Sequence, residues 1–128
     1  MNNYVYTYTN KEGETKELRL RLTSADAIEI ENTKKMSVAS YLQQESITMI
    51  VTLLRSLRKW DDKNFSFNQA QALYDELIDS GMTMKQILVD IIYEALVVSG
   101  FLEKHEWEEM KKIQEKMTEK AKDILLQE

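Results

Sequence analysis

The sequence predicts a mainly helical α+β fold, in which an N-terminal β-hairpin packs on about four helices and a charged amphipathic helix follows. Three observations predict it: strand-like alternation near the N-terminus, two capped helical patterns in residues 65–102, and an abrupt change to mixed charge after Phe101. We therefore expect a compact α+β domain at residues 1–102 and a helical extension at residues 103–128.

Two segments near the N-terminus have the period of two that is typical of half-buried strands. Tyrosines alternate with smaller residues in 4–9, and leucines alternate with arginines in 18–22. Between them, Asn10 begins and Gly13 ends a turn of a common hairpin type. Because two strands alone are only marginally stable, we expect one face of the hairpin to pack on helices or to pair with another strand.

A short helix is predicted directly after the hairpin. Thr23 and Asp26 form its start signal, and it ends near Asn32, before a loop that runs to Met36. The apolar residues expected on its inner side are Ala27, Ile28 and Ile30.

A single longer helix is predicted next, with either Ser37 or Ser40 as its cap and an end near Trp60. Its apolar residues fall on one side at helical spacing: Leu42, Met49, Ile50, Leu53, Leu54 and Leu57.

Residues 65–102 contain two helices with clear start and stop signals. Gly81 ends the first, and Thr83 with Gln86 forms the capping box of the second. Gly100 supplies the left-handed residue that ends the second helix. Apolar residues cover more than a narrow stripe of this helix, which predicts burial on most of its circumference: Ile87, Leu88, Ile91, Ile92, Ala95, Leu96 and Val98.

The C-terminal extension has a narrow apolar stripe in a charged background. Met110, Met117 and Ile124 recur every seven residues, a spacing that suits contact with one partner helix better than burial in a core. We therefore hypothesise that five residues contact a helical partner or another copy of the chain: Trp107, Met110, Ile113, Met117 and Ile124.

Composition narrows the functional classes. The chain has no cysteine, which excludes thiolate metal sites and cysteine nucleophiles, and a reducing compartment such as the cytoplasm is compatible with it. No segment has the length of apolar sequence that a membrane span needs, and the N-terminus lacks the pattern of a secretory signal. The net charge of −5 argues against nucleic-acid binding, although four cations cluster locally: Arg55, Arg58, Lys59 and Lys63.

The sequence offers no coherent set of catalytic, cofactor or metal-binding residues. His105 is the only histidine and stands among glutamates, so it receives no role. Carboxylates one turn apart, such as Glu76 with Asp79, fit solvated helix faces, and the three glycines are isolated at turns and helix ends. We predict a protein that is not an enzyme and needs no cofactor.

The order of these elements resembles the tail assembly chaperones of long-tailed, siphovirus-like phages and prophages of Gram-positive bacteria. The resemblance covers residues 4–104. The residues that carry it are Phe67, Leu73 to Leu77, Asp79 to Gly81, Thr83, and Ser99 to Phe101, in the segment FSFNQAQALYDELIDSGMTMKQILVDIIYEALVVSGFL.

This resemblance implies a non-enzymatic protein of the bacterial host cytoplasm, absent from the mature virion. Such a chaperone binds the long helical tape-measure protein, keeps it soluble, and is displaced as tail-tube protein polymerises. The resemblance also implies self-association into a homo-oligomer, and a longer product made by ribosomal frameshifting.

Two other classes remain open from the residues alone. One is a small helical adaptor or regulatory protein that binds a protein partner. The other is a nucleic-acid binder that uses the basic cluster around Arg55, for which a steep dependence of affinity on salt is expected.

Overall fold

The computed structural model describes residues 2–104, 107–109, 112, 113 and 116, and it has the mainly helical α+β architecture that the sequence predicts. An antiparallel hairpin of β1 (Tyr4–Thr9) and β2 (Thr15–Leu20) comes first. The α-helices of the described part are α1 (Ser24–Lys34), α2 (Val38–Leu42), α3 (Ile47–Lys59), α4 (Phe67–Asp79), α5 (Met84–Gln86) and α6 (Glu94–Val98). Between α5 and α6 the backbone is π-helical over Ile87–Tyr93, so residues 84–98 form one continuous helical rod.

The hairpin turn has the predicted bounds. Asn10 is buried, and its side-chain oxygen accepts from the Glu12 and Glu14 amides at 3.1 and 2.8 Å. Gly13 has a φ of 83°, the left-handed conformation that closes such a turn. The register runs from Tyr4 opposite Leu20 to Thr9 opposite Thr15.

One face of the hairpin packs on the helices, as expected. Tyr8, Leu18 and Leu20 are buried in the common core. The Tyr4 hydroxyl donates to the Asp90 carbonyl of the rod at 2.9 Å, and the Tyr8 hydroxyl donates to the Glu76 carboxylate of α4. These bonds fix the hairpin over α4 and the rod.

The start of α1 is confirmed, but its predicted end and inner face are wrong in part. Thr23 caps the helix by accepting from the Asp26 amide at 3.2 Å. The helix continues past Asn32 to Lys34, and Lys35 adopts the left-handed conformation after it. Ile28 is 56% exposed because the helix packs through Ala27 and Ile30, which are three residues apart and share a face.

The single long helix predicted before Trp60 is wrong, because the chain breaks it into α2 and α3. Ser37 caps α2, and Glu45 then takes a left-handed φ of 47°. Ser46 caps α3 by accepting from the Met49 amide at 3.1 Å. All the apolar residues expected on the inner side are nevertheless buried: Leu42, Met49, Ile50, Leu53, Leu54 and Leu57.

The two helices predicted in residues 65–102 are confirmed in position. Ser66 and Gln69 form a capping box at the start of α4, and Thr83 and Gln86 form the predicted one at the start of the rod. The rod is the centre of the core, with buried residues around most of its circumference: Ile87, Leu88, Ile91, Ile92, Tyr93, Ala95 and Leu96. Val98 is 37% exposed, so the predicted burial stops before the rod ends. No helix in the described ranges is long and apolar enough to cross a membrane.

Candidate protein-binding groove

The five residues predicted to contact a partner have different positions. Met110, Met117 and Ile124 lie outside the described residues. Ile113 is 58% exposed and remains available to a partner. Trp107, in contrast, is only 2% exposed and belongs to the core of its own chain.

Trp107 is held by the helical rod. Its ring meets the Tyr93 ring edge-on with centroids 4.8 Å apart, and its Nε1 donates to Glu94 Oε1 at 2.8 Å. The expectation that Trp107 offers its side chain to a partner is therefore wrong, because that side chain is already buried. Trp107, within the predicted extension, packs on the domain.

A surface groove lies between α1 and α3, and the first residue of α4 also lines it. It has a volume of about 250 Å³. The residues that line it are Glu29, Ile30, Thr33 and Lys34 from α1, Thr48, Thr52, Arg55 and Ser56 from α3, and Phe67 from α4. The lining combines two apolar side chains, four hydroxyl groups and two cations.

The α3 side of the groove is built by helical spacing. Thr48, Thr52 and Ser56 are four residues apart and so lie on one face, opposite the apolar residues that α3 buries. Arg55 lies beside them. This polar stripe was visible in the sequence, but its function was not, because the opposing wall comes from α1, which precedes α2 and a left-handed turn.

Arg55 is the chemically distinctive residue of the groove. Its Nε is buried without a hydrogen-bond partner, and it forms no ion pair with any residue that the structure describes. A buried donor on a charged guanidinium is costly when it is unsatisfied, since each such group loses its hydration. The Arg55 side chain also lines the groove, and a carboxylate is the group that a guanidinium binds best.

The neighbouring cations are already paired. Lys59 contacts Asp26 at 3.5 Å and Glu29 at 3.2 Å, which ties α3 to α1 below the groove. Arg58 contacts Asp61 at 3.2 Å and donates to the Arg19 carbonyl at 2.9 Å. Of the basic cluster in the sequence, Arg55, Arg58, Lys59 and Lys63, only Arg55 lines the groove.

Lys34 also lines the groove, and its ammonium lies 5.5 Å from the centroid of the Tyr41 ring. Glu29 is the one carboxylate in the lining, and Lys59 neutralises it. The groove is consequently positive within a chain of net charge −5. This local sign favours an acidic ligand over a basic one.

The rest of the described surface offers little chemistry. Within the described ranges, no group of three or more His, Cys, Asp and Glu residues is placed to hold a metal ion. The Glu76 carboxylate accepts from Tyr8, Lys16 and Asn10. The hydrogen bond from Tyr8, followed by that from Lys16, lowers the pKa of Glu76, so this carboxylate is a charged structural tie between α4 and the hairpin.

Comparisons with protein-family models, with curated proteins and with solved structures gave no match.

Proposed function

We propose that this chain is a non-enzymatic assembly chaperone of the phage-tail type, and that it binds a helical segment of a tape-measure protein in the α1–α3 groove. The observation that carries the proposal is Arg55, a cation without an ion pair among the described residues, within a groove of apolar and hydroxyl side chains. Such a groove accepts side chains from one face of an amphipathic helix that carries an acidic residue beside apolar ones.

The apolar part of the groove supports a protein ligand. Phe67 is 38% exposed, and Phe67 and Ile30 are the apolar side chains of the groove lining. Covering such surface with apolar side chains of a partner yields about 25 cal/mol per Å² of area removed from water. A small polar metabolite would gain nothing from Phe67, whereas a helix with leucine or methionine at three-and-four spacing would cover it.

The charge of the groove supports the same ligand class. A carboxylate that reaches Arg55 makes a charge-assisted hydrogen bond in a partly desolvated place, where such bonds are stronger than at an open surface. The hydroxyls of Thr48 and Thr52 give further hydrogen-bonding groups along the same face of α3. Specificity for an acidic position on the partner follows from this arrangement.

The resemblance to tail assembly chaperones agrees with this use of the groove. Phe67, the aromatic residue that begins the motif of the resemblance, is also the α4 residue that lines the groove. The other residues of the motif mark helix ends, with Thr83 as a cap and with Gly81 and Gly100 in left-handed conformations. One motif residue therefore contributes to binding, and the others preserve the fold that positions it.

The cellular part of the proposed role is what the resemblance implies. The chaperone acts in the bacterial host cytoplasm, keeps the tape-measure protein soluble, and leaves when tail-tube protein covers that partner. It is absent from the finished virion, and a longer frameshifted product contains the same groove.

The test is co-expression of the full chain with the long helical protein encoded downstream of its gene, followed by affinity capture and a binding titration. Arg55→Gln is expected to weaken binding at least about tenfold, because it removes the charge that a partner carboxylate meets. Lys63→Gln removes one exposed charge outside the groove and is expected to leave binding unchanged. Equal binding by wild type and Arg55→Gln contradicts the groove as the binding site.

A second pair of variants tests the apolar contact. Phe67 and Phe101 are both 38% exposed, but only Phe67 lines the groove. Phe67→Ala is expected to weaken capture, whereas Phe101→Ala is the matched control. If the downstream protein is not captured by the wild-type chain at all, the chaperone proposal itself fails.

A further inference from the structure

The backbone amides and carbonyls of alternate β1 residues point away from β2. Asn10 donates its amide to the Glu14 carbonyl at 2.9 Å and accepts from the Gly13 amide at 3.0 Å, so the backbone of Asn10 faces β2. Backbone directions alternate along an antiparallel strand, and the amides and carbonyls of Val5, Thr7 and Thr9 therefore point away from β2. In the described part of the chain, β1 pairs with β2 alone, and these outward groups have no partner.

The corresponding edge of β2 is covered by the fold. Its outward Arg19 carbonyl accepts from Arg58 Nη1 at 2.9 Å and from Trp60 Nε1 at 3.2 Å. Just beyond the strand, the Arg21 amide donates to the Leu57 carbonyl at 3.0 Å. The C-terminal end of α3 thus closes one edge of the hairpin and leaves the β1 edge as the open one.

The β1 edge also lacks the usual protection against strand pairing. Natural edge strands carry lysine, proline or a bulge that prevents association. In a chain with 30% charged residues, the first ten residues contain no charge, and no proline occurs anywhere. Val5 on this strand is 47% exposed, whereas β2 carries Lys16, Glu17 and Arg19.

We propose that β1 pairs with β1 of a second copy of this chain, antiparallel about a twofold axis at Thr7, to form a continuous four-stranded sheet. Thr7 then lies opposite Thr7 of the second copy, and Val5 lies opposite its Thr9. All three residues have outward backbone groups, so each pair exchanges two hydrogen bonds. On the inner face, Tyr6 lies opposite Tyr8 of the second copy, an aromatic cross-strand pair.

The charge of the chain determines which strand edge two copies can share. Two copies that each carry a net charge of −5 repel one another, so a contact between them needs an uncharged patch, and β1 supplies one. The same pairing through the β2 edge would place Glu17 opposite Glu17, which is unfavourable. A twofold contact at β1 satisfies the open edges of both copies at once and leaves none for further growth. This inference does not depend on the proposed function.

The experiment uses proline at outward positions of the two strands in the full chain. Thr7→Pro removes an amide that makes no bond within the monomer, and proline is tolerated where the amide of an edge strand faces solvent. Glu17→Pro makes the equivalent change on β2 and is the matched control. Sedimentation equilibrium over a concentration series gives the mass of each protein relative to the 15.1 kDa chain.

We expect wild type and Glu17→Pro to reach twice the chain mass with increasing concentration, and Thr7→Pro to dissociate at least about tenfold more readily. Thr7→Lys, which places like charges together at the twofold axis, is expected to act in the same direction without any change in backbone. A wild-type chain that stays monomeric overturns the proposal, as does an assembly that both Thr7 variants leave intact.

Amide hydrogen exchange tests the wild-type chain without any substitution. The amides of Val5, Thr7 and Thr9 are expected to gain protection as concentration rises through the dimerisation range. Protection that is the same at every concentration means that a segment of the same chain covers the edge, and this result overturns pairing between copies. Exchange that stays fast at all concentrations overturns it as well.

Discussion

Trp107 lies edge-on against Tyr93, with ring centroids 4.8 Å apart and an interplanar angle of 83°. This is the preferred arrangement of an aromatic pair, and the indole nitrogen also has a partner in Glu94. Gly100 ends the helical rod, and through this contact the segment after Gly100 packs back on the rod. A segment that looks polar in sequence therefore contributes one large side chain to the core.

Trp107→Ala is expected to reduce the free energy of unfolding by about 3–5 kcal/mol, because it removes a buried aromatic ring and leaves a cavity. Urea denaturation of the full chain measures the loss. Ile113→Ala is the control, since Ile113 is 58% exposed and its truncation should change the free energy by less than about 0.5 kcal/mol. Equal effects of the two variants would show that Trp107 does not belong to the cooperative core.

The position of Trp107 also decides how the C-terminal extension is tested for binding. A chain that ends at Lys104 lacks this ring, so any loss of partner capture would combine unfolding with loss of contact. A chain that ends at Glu109 keeps Trp107 and removes Met110, Met117 and Ile124. We expect this second truncation to melt cooperatively, and its partner capture then reports on the apolar stripe alone.

The hydrogen bonds to Glu76 predict a dependence of stability on acid. The Tyr8 hydroxyl and the Lys16 ammonium donate to this carboxylate and hold its pKa below the usual 4.5. A group whose pKa is lower in the folded state stabilises the fold above its unfolded pKa, and this contribution is lost as the pH falls through the folded value. The stabilisation from Glu76 is therefore present at neutral pH and is lost as the pH falls from the unfolded pKa through the lower folded pKa.

Glu76→Gln is expected to lower the free energy of unfolding at neutral pH, and its difference from wild type is expected to shrink as the pH falls through the pKa of the folded carboxyl. Urea denaturation at a series of pH values measures this difference. Asp75→Asn, an exposed neighbour that makes none of these bonds, is the matched control and should keep the wild-type slope. If Glu76→Gln also keeps that slope, the bonds do not couple to stability.

Those features of the fold that depend on adjacent residues were predictable from the sequence. Caps and helix-ending glycines interact only with residues about one helical turn away. Each marks the helix end that its pattern indicates: Thr23, Thr83, Gly81 and Gly100. The break between α2 and α3 was missed because Glu45 adopts a left-handed conformation that its own side chain does not favour.

Features that need distant parts of the chain could not be predicted in the same way. Trp107 is buried only because Tyr93 lies beside it, and the local sequence around Trp107 is charged. The groove exists because α1 lies against α3, so Arg55 appeared in the sequence as one member of a basic cluster. The π-helical backbone of Ile87–Tyr93 has no pattern that distinguishes it from an α-helix.

Lys35 offers a stabilising substitution. It follows α1 in the left-handed conformation with φ 59° and ψ 35°, and its amide donates to the Glu31 carbonyl at 2.9 Å. A residue with a Cβ loses about 1–2 kcal/mol in this conformation, whereas glycine does not. Lys35→Gly is therefore expected to raise the free energy of unfolding by about 1 kcal/mol, after the greater flexibility of glycine in the unfolded chain is subtracted.

The control for that change is Lys34→Gly, which removes the same charge one residue earlier. Lys34 is the last residue of α1, and its ammonium lies over the Tyr41 ring, so glycine there should destabilise the protein. If the left-handed conformation of Lys35 is strained, thermal denaturation shows a higher melting temperature for Lys35→Gly and a lower one for Lys34→Gly. A loss of stability in both would contradict this assignment.

Two serines occupy equivalent places before helix-ending glycines but have different tertiary roles. Ser80 precedes Gly81, and its hydroxyl donates to the Leu77 carbonyl at 2.6 Å. Ser99 precedes Gly100, and its hydroxyl donates to the Ala95 carbonyl at 2.7 Å. Ser99 alone also accepts from the amide of Leu22 at 2.9 Å, which joins the end of the rod to the exit of the hairpin.

Ser99→Ala is therefore expected to cost about 1–3 kcal/mol of unfolding free energy, since it leaves the amide of the buried Leu22 without an acceptor. Ser80→Ala loses only a bond within its own helix and is expected to cost less than about 1 kcal/mol. Urea denaturation of the two variants measures the difference, and equal losses would contradict a special role for Ser99. A larger loss at Ser99 would mean that this hydroxyl attaches the end of the rod to the hairpin.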